Sequence, residues 1–169
     1  MANIFLISDH HLGHSNILNF FRPDGVTKLR QFPSVEEHDE HIVERHNSIV
    51  RPQDKTYFLG DVTFSNKNLP ILQRMNGEKV LIKGNHDKLK ISQYMFYFKD
   101  VRGSHQFDGL LLTHIPVHPS SLARWPCNVH GHVHANTLDD PRYFNVCAEE
   151  INYTPISLEQ LKSEIKNRT

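Results

Sequence analysis

The sequence predicts an α/β fold in which two β-layers are covered by helices on the outside. Three observations predict it. Short apolar runs bounded by glycine and polar residues recur along the chain, as buried strands do. The early order reads strand, helix, strand, helix, strand, while the later half is richer in strands, a mixture that two packed β-layers accommodate. Finally, five of the apolar runs end in Asp, His or Asn. Ligands of open α/β sheets bind outside the carboxyl ends of the strands.

The first strand covers residues 3–8, the run Asn3-Ile4-Phe5-Leu6-Ile7-Ser8. A polar connection with Gly and Pro follows over residues 13–33, long enough to read as a functional loop, with a short helix expected near 16–20. Ser34 begins a clear helix. Ser34 and Glu37 have capping-box spacing, and Val35, Ile42, Ile49 and Val50 recur at helical intervals before Pro52. His38, His41 and His46 lie on this helix, where a solvated face is the expected reading over a shared metal. The second strand is 55–59. A helix near 69–75 stops at Asn76-Gly77. The third strand is 79–82. Residues 88–99 have helical spacing at Ile91, Tyr94, Met95 and Phe98 but are rich in aromatics. Strands near 104–107 and 109–113 form a hairpin across Asp108-Gly109. Strands near 128–130 and 143–148 follow, and Ser157 with Gln160 caps a last helix with Leu158, Leu161 and Ile165 on one face.

At 169 residues the chain is expected to form one domain, residues 1–169, with a core that needs no staples. Lys plus Arg and Asp plus Glu each number 19, so the formal net charge is zero. That balance gives no strong nucleic-acid or anionic-membrane signal. No run approaches the ~18 apolar residues of a membrane span. The N-terminus lacks the pattern of a removable signal. Cys127 and Cys147 form no CxxC pair and read as small buried thiols, which fits a reducing cytoplasm. Thirteen histidines is a large excess for this length, and His is the commonest metal ligand.

The excess is concentrated where the strands end. Asp9 and His11 follow the first strand, Asp61 the second, Asn85 and His86 the third. His114 follows Leu110-Leu111-Leu112-Thr113, and His132 and His134 close the run that begins at Cys127. Asp9 and His11 are two apart, as are His132 and His134, and residues two apart on an extended chain point the same way. Asp9, His11, Asp61, Asn85, His114, His132 and His134 exceed the needs of one ion, since a lone catalytic zinc takes three protein ligands plus water. Two ions would use them all, with Asp61 as the natural bridge because a carboxylate has two oxygens to share. A mix of imidazole, carboxylate and amide without thiolate suits Mn2+, Fe or Zn2+, as divalent or trivalent ions. Ion pairs about 3.5–4 Å apart activate water and neutralise phosphoryl oxygens. Such chemistry needs no Ser or Cys nucleophile. His86 points away from Asn85 on an extended stretch and is placed to protonate a leaving oxygen. Asp87 orients it or caps the following helix.

Asp9-His10-His11, Gly60-Asp61, Gly84-Asn85-His86-Asp87, Thr113-His114 and Gly131-His132-Val133-His134 together resemble the calcineurin-like metallophosphoesterases, in particular the short bacterial and phage-type members. The ordered set spans Asp9 to His134. The resemblance implies a four-layer α/β sandwich of two mixed β-sheets flanked by helices, and a dinuclear site. One ion would take Asp9, His11, Asp61 and His134, and the other Asp61, Asn85, His114 and His132. His86 would match the family's catalytic histidine.

The expected function is therefore a hydrolase of phosphate mono- or diesters, acting through a hydroxide held between two metal ions, Mn2+ foremost, with His86 and Asp61 as catalytic residues. Few obvious substrate loops favour small phosphodiesters over monoesters. His14 is expected to contact substrate or another ligand's ring, and Arg22, Asn85 and His86 are the other candidate substrate contacts. His10 is expected to pack in the core. Lys28, Arg30 and Arg124 read as ordinary surface charge, and Trp125 and the Phe20-Phe21 pair as packing residues rather than base-stacking ones. The expected partner is a small phosphoester, with a homodimer left open. Two alternatives stay open: a protein-binding module on the same fold, as in a retromer subunit, and a dinuclear hydrolase of peptide or lactam bonds.

Overall fold

The computed structural model describes residues 2–168. The first sheet has five strands in the order β4-β3-β2-β1-β9. These are β1 (Ile4–Ile7), β2 (Lys55–Phe58), β3 (Glu78–Ile82), β4 (Asp100–Arg102) and β9 (Ile156–Ser157). The first four run parallel and β9 is antiparallel to β1. The second sheet has four strands in the order β5-β6-β7-β8. They are β5 (His105–Phe107), β6 (Leu110–Leu112), β7 (Asn128–His130) and β8 (Tyr143–Asn145), with β5 alone antiparallel to its neighbour. Both sheets are mixed, and the fold is the two-sheet α/β architecture that the motif resemblance implies.

The core between the sheets follows from period-two patterning. Leu6, Tyr57, Leu59, Val80 and Ile82 of the first sheet meet Leu110, Leu112, Val129 and Phe144 of the second. The other face of the first sheet is covered by α1 (Val35–Asn47) and α2 (Ile91–Tyr94), with Phe58 and Leu81 packed against Ile42, Val43 and Tyr94. Ser34 caps α1, its hydroxyl accepting from the Glu37 N–H at 3.2 Å. On the outer face of the second sheet, Leu111 and Tyr143 meet Leu122 from the short 3-10 helix Pro119–Leu122, and Trp125 packs there as expected.

Several elements differ from expectation. The stretch expected as an α-helix at 69–75 lies in a 3-10 helix, Asn66–Arg74, with Met75 at its C-cap. Pro70 inside it has no N–H to give to an α-helical ladder. The helix α3 (Leu158–Arg168), capped by Ser157, does not lie outside the layers. Its Leu161 and Ile165 join the cluster between the two sheets and close that edge of the sandwich. Strands β4 and β9 appear where no strand is expected. The hairpin across Asp108-Gly109 forms as expected, with both φ angles positive at 50° and 81°. His38 and His46 are not on a solvated face; both are fully buried on α1. Among the described residues, no helix is long and apolar enough to cross a membrane.

Candidate metal centre

Parallel strands put their carboxyl ends at one edge, and both sheets share that edge. The chain continues there from β1 into Asp9 and His11, from β2 into Asp61, and from β3 into Asn85 and His86. The second sheet adds His114 after β6, and His132 and His134 after β7. The exits run side by side: Asp9 N–H donates to Gly60 O at 3.0 Å, His11 N–H to Asp61 O at 3.0 Å, and Gly131 N–H to His114 O at 2.9 Å. Five of these residues have left-handed backbone, with φ of 57° at Asp9, 52° at His11, 52° at Asp61, 70° at His132 and 50° at His134. Such conformations cost on the order of 1–3 kcal/mol each and cluster at functional sites.

The structure brings all seven candidate ligands together. Asp9, His11 and Asp61 offer atoms within 4.8 Å of one another, and so do Asp61, His114 and His132; Asp61 belongs to both groups. Ring centroids are 5.1 Å apart for His11 and His134, and 5.1 Å for His114 and His132. His114 Nε2 lies 3.3 Å from Asp61 Oδ2 and 2.9 Å from Asn85 Oδ1.

The two oxygens of Asp9 have different surroundings. Oδ2 is engaged by the Ser8 hydroxyl at 2.5 Å, the His132 N–H at 2.9 Å and the Cys147 thiol at 3.2 Å. Oδ1 has no hydrogen-bond partner although it is buried, and neither has His11 Nε2. Oδ1 lies 3.5 Å from His11 Nε2 and 3.8 Å from His134 Nε2. A buried carboxylate oxygen and two imidazole nitrogens converging without donors between them fit a cation. On the other flank, His114 Nδ1 donates to Leu59 O at 2.7 Å, which turns its Nε2 lone pair toward Asp61 and Asn85. His134 Nδ1 donates to Glu149 Oε1 at 2.7 Å, which frees its Nε2 in the same way. Fixing a ligand imidazole through its second nitrogen is the usual outer support of a metal site.

The electrostatics agree. Burial by itself would raise Asp9 and Asp61. The surrounding histidines outweigh it, and both carboxyls are held below the usual range. Burial pushes His11 down to about 4, so it stays neutral and able to coordinate. His114 and His134 go up despite burial, through Asp61 and Glu149 respectively. Carboxylates that draw a proton onto an imidazole would draw a divalent cation to the same place.

Glycines allow the segments to touch. A Cβ on Gly131 would lie 1.9 Å from Ser8 Oγ and 2.2 Å from Asp9 Oδ2, and one on Gly84 would lie 2.2 Å from Asp61 Oδ1. The Gly-His and Gly-Asn-His motifs therefore carry glycine because another motif's carboxylate fills the space.

His86 is exposed at the mouth, with its N–H donating to Asp61 Oδ1 at 2.9 Å and its ring 4.7 Å from Phe64. His14 reaches the cluster, its Nδ1 lying 3.3 Å from His11 Nδ1. Arg22 does not; its guanidinium pairs with Glu150 at 3.0 Å. His10 packs in the core as expected, stacked on Phe58 at 4.5 Å. Asp87 neither orients the His86 ring nor caps a helix. Its carboxylate accepts from the N–H groups of Asp61 at 2.8 Å, Val62 at 3.0 Å and Gly84 at 2.8 Å, tying the exits of β2 and β3 together.

Arg30 is the largest departure from expectation. Rather than surface charge, it is a fully buried cation. Its Nη2 donates to Asp9 O at 2.5 Å and to Glu149 Oε2 at 2.5 Å, and its Nη1 donates to His10 O at 3.1 Å. Glu149, held down to about 2 by Arg30 and His134 against its burial, links the guanidinium to the candidate ligand His134. Sequence reasoning missed Glu149, Ser8 and Cys147 in these roles. Ser8 alone had a signal, being adjacent to Asp9. Phe20 and Phe21 are also not packed away; they are 41% and 51% exposed. A cavity of about 560 Å³ lies between α1 and α3 and contains no candidate ligand.

A two-sheet α/β fold with an Asp/His/Asn cluster at the shared strand edge defines this chain as a protein with a candidate metal centre. No family model matches it. MJ1445 of Methanocaldococcus jannaschii, an uncharacterized protein, is 34% identical over 174 positions that span 94% of this chain and 89% of that protein, and the chain belongs to the same family. The gene 66 protein of Mycobacterium phage D29 is 25% identical over 86% of this chain and 87% of its own length. Among solved structures, AQ665 of Aquifex aeolicus, a protein of unknown function, superposes with a TM-score of 0.75 at 26% identity, covering 96% of this chain and 99% of that one.

Proposed function

We propose that this chain is a metal-dependent phosphoesterase, with phosphodiesters preferred to monoesters. The observation that carries the reading is Asp61, shared by two groups of candidate ligands drawn from four separate strand ends, with Asn85 added from a fifth. Asp9, His11, Asp61 and His134 would hold one cation, and Asp61, Asn85, His114 and His132 the other, with Mn2+ the first choice. Cations bound there would supply charge that neutralises phosphoryl oxygens and lets a nearby water give up a proton to solvent as its oxygen attacks phosphorus.

The chain's own residues do the rest. A new phosphorus–oxygen bond forms to the water oxygen as the bond to the leaving alkoxide breaks. His86, exposed at the mouth and anchored through its N–H to Asp61, hands a proton to that leaving oxygen. The Phe64 ring holds the His86 imidazole toward the opening and shields His11 and His14, at centroid distances of 5.1 and 4.4 Å. Cavities on both flanks support a diester: about 430 Å³ beside His134 and about 360 Å³ beside Asn85 and His114. A diester has two organic groups to place, one on each side of phosphorus.

Mn2+-dependent hydrolysis of bis(p-nitrophenyl) phosphate tests the proposal, together with metal content by mass spectrometry. Two ions per chain and turnover are expected. Asp61→Asn should lose both. His86→Gln should keep the metal while kcat falls ~100-fold or more. Turnover of lactams or peptides in place of phosphoesters would overturn it.

A further inference from the structure

The cavity beside His134 has a lining the hydrolytic centre does not explain. Phe20, Phe21, Pro23 and Leu29 form one wall, and Ala135 and Asn136, next to His134, the other. Two large aromatic side chains standing half in solvent beside a polar centre are a poor use of apolar surface unless something covers them. Their backbone is fixed. The Phe20 carbonyl accepts from Leu29 N–H at 2.9 Å, and Arg22 N–H donates to Thr27 O at 2.7 Å. Arg22 also pairs with Glu150, whose neighbour Glu149 holds His134. The aromatic turn and the ligand on the opposite wall are thus tied to adjacent glutamates, which sets the distance between them.

We propose that this cavity is the subsite for the nucleoside portion of a phosphodiester, with its base stacked against Phe20 and Phe21. The inference deepens the phosphoesterase reading and rests on it for the position of the phosphorus. Rings offer a face to any base, and stacking on exposed aromatics is how proteins hold unpaired bases. The volume falls within the range of small-ligand sites. Asn19 and Asn136 also line the cavity, so amide side chains accompany the aromatic ones, each with its carboxamide oxygen open to a donor on a base. Lys28 Nζ lies 4.3 Å from the Phe21 ring centroid, a cation beside the aromatic wall. An alkyl chain would need neither the amides nor the lysine.

The test compares kcat/KM for thymidine 5′-(p-nitrophenyl phosphate), methyl p-nitrophenyl phosphate and decyl p-nitrophenyl phosphate with Mn2+. Wild type should prefer the thymidine ester. Phe20→Ala and Phe21→Ala should each lower that value about fivefold or more while changing the methyl ester less than twofold, and Phe21→Trp should retain the preference. Equal losses on the thymidine and methyl esters, or a preference for the decyl ester, would overturn the subsite and leave the phosphoesterase reading standing. A second arm needs no catalysis. Saturation-transfer NMR of thymidine on metal-free protein should show saturation of the thymine ring protons, abolished in the Phe20→Ala, Phe21→Ala double variant. If no phosphoester is turned over, this arm decides alone. A thymine signal that disappears in the double variant supports the subsite; a signal that survives there, or none in wild type, overturns it.

Discussion

Asp9 shows how one side chain can be set by its neighbours down to the choice of oxygen. Ser8, Cys147 and the His132 N–H hold Oδ2, and Oδ1 is left facing the imidazoles. The same logic governs His134, whose Nδ1 is held by Glu149, which is held in turn by Arg30. Removing the charge at Glu149 leaves the imidazole less firmly oriented and Arg30 buried without its counter-ion. Glu149→Gln should therefore weaken Mn2+ binding by ~10–100-fold, as outer-support substitutions do, and titration calorimetry on wild type and variant checks it. Unchanged affinity would detach Glu149 from the centre. None of this chain of contacts could be read from the sequence. Arg30 and Glu149 are 119 positions apart in irregular segments, and no periodicity connects them. The candidate ligands themselves were legible because they follow apolar runs.

At the level of elements, the exits of β2 and β3 are joined by a single carboxylate. Asp87 accepts three backbone N–H groups, so a side chain with one acceptor oxygen cannot replace it. Asp87→Asn would turn an NH2 group toward a backbone donor. The expected result is a loss of about 1–3 kcal/mol of unfolding free energy that persists at every metal concentration, read from urea melts with and without Mn2+. Strands β1, β2, β3, β6 and β7 were legible as apolar runs. Strands β4 and β9 were not, since they are three and two residues long and follow segments without alternation. Helix α1 declared itself through Ser34 and its 3.6-residue spacing. The 3-10 geometry of Asn66–Arg74 was hidden because Leu69, Leu72 and Met75 suit either helix and Pro70 decides between them.

Across the molecule, two sets of histidines contrast. Those of the centre have carboxylate neighbours, whereas His10 and His46 are buried and neutral. Burial pushes His46 down to about 4, with its ring 3.0 Å from Asn76 O, and pushes His10 well below its ordinary value. In the unfolded chain both titrate near 6.5. As pH falls below about 6.5 the unfolded state takes up protons that the native state refuses, so stability is lost with acidification, for His46 until about 4. In the metal-free protein these two should withdraw on the order of 2 kcal/mol or more between pH 7 and 4.5, against the opposite contribution of the raised His114 and His134, and His46→Gln should make the slope in thermal melts at a series of pH values less destabilising toward acid. The sequence displayed the excess of imidazoles but not this division, because His38 and His46 share a helix whose polar composition looked solvated and is not.

The left-handed turns at Asp9, His11, Asp61, His132 and His134 have a consequence for how this centre can vary. Asn, Asp and His are the side chains, other than Gly, that most readily accept that backbone shape. Exchange toward a branched or bulky side chain would be resisted by the peptide geometry itself, whatever its chemistry. The range of ions such a pocket can come to prefer is narrowed by torsion angles before any donor atom is chosen.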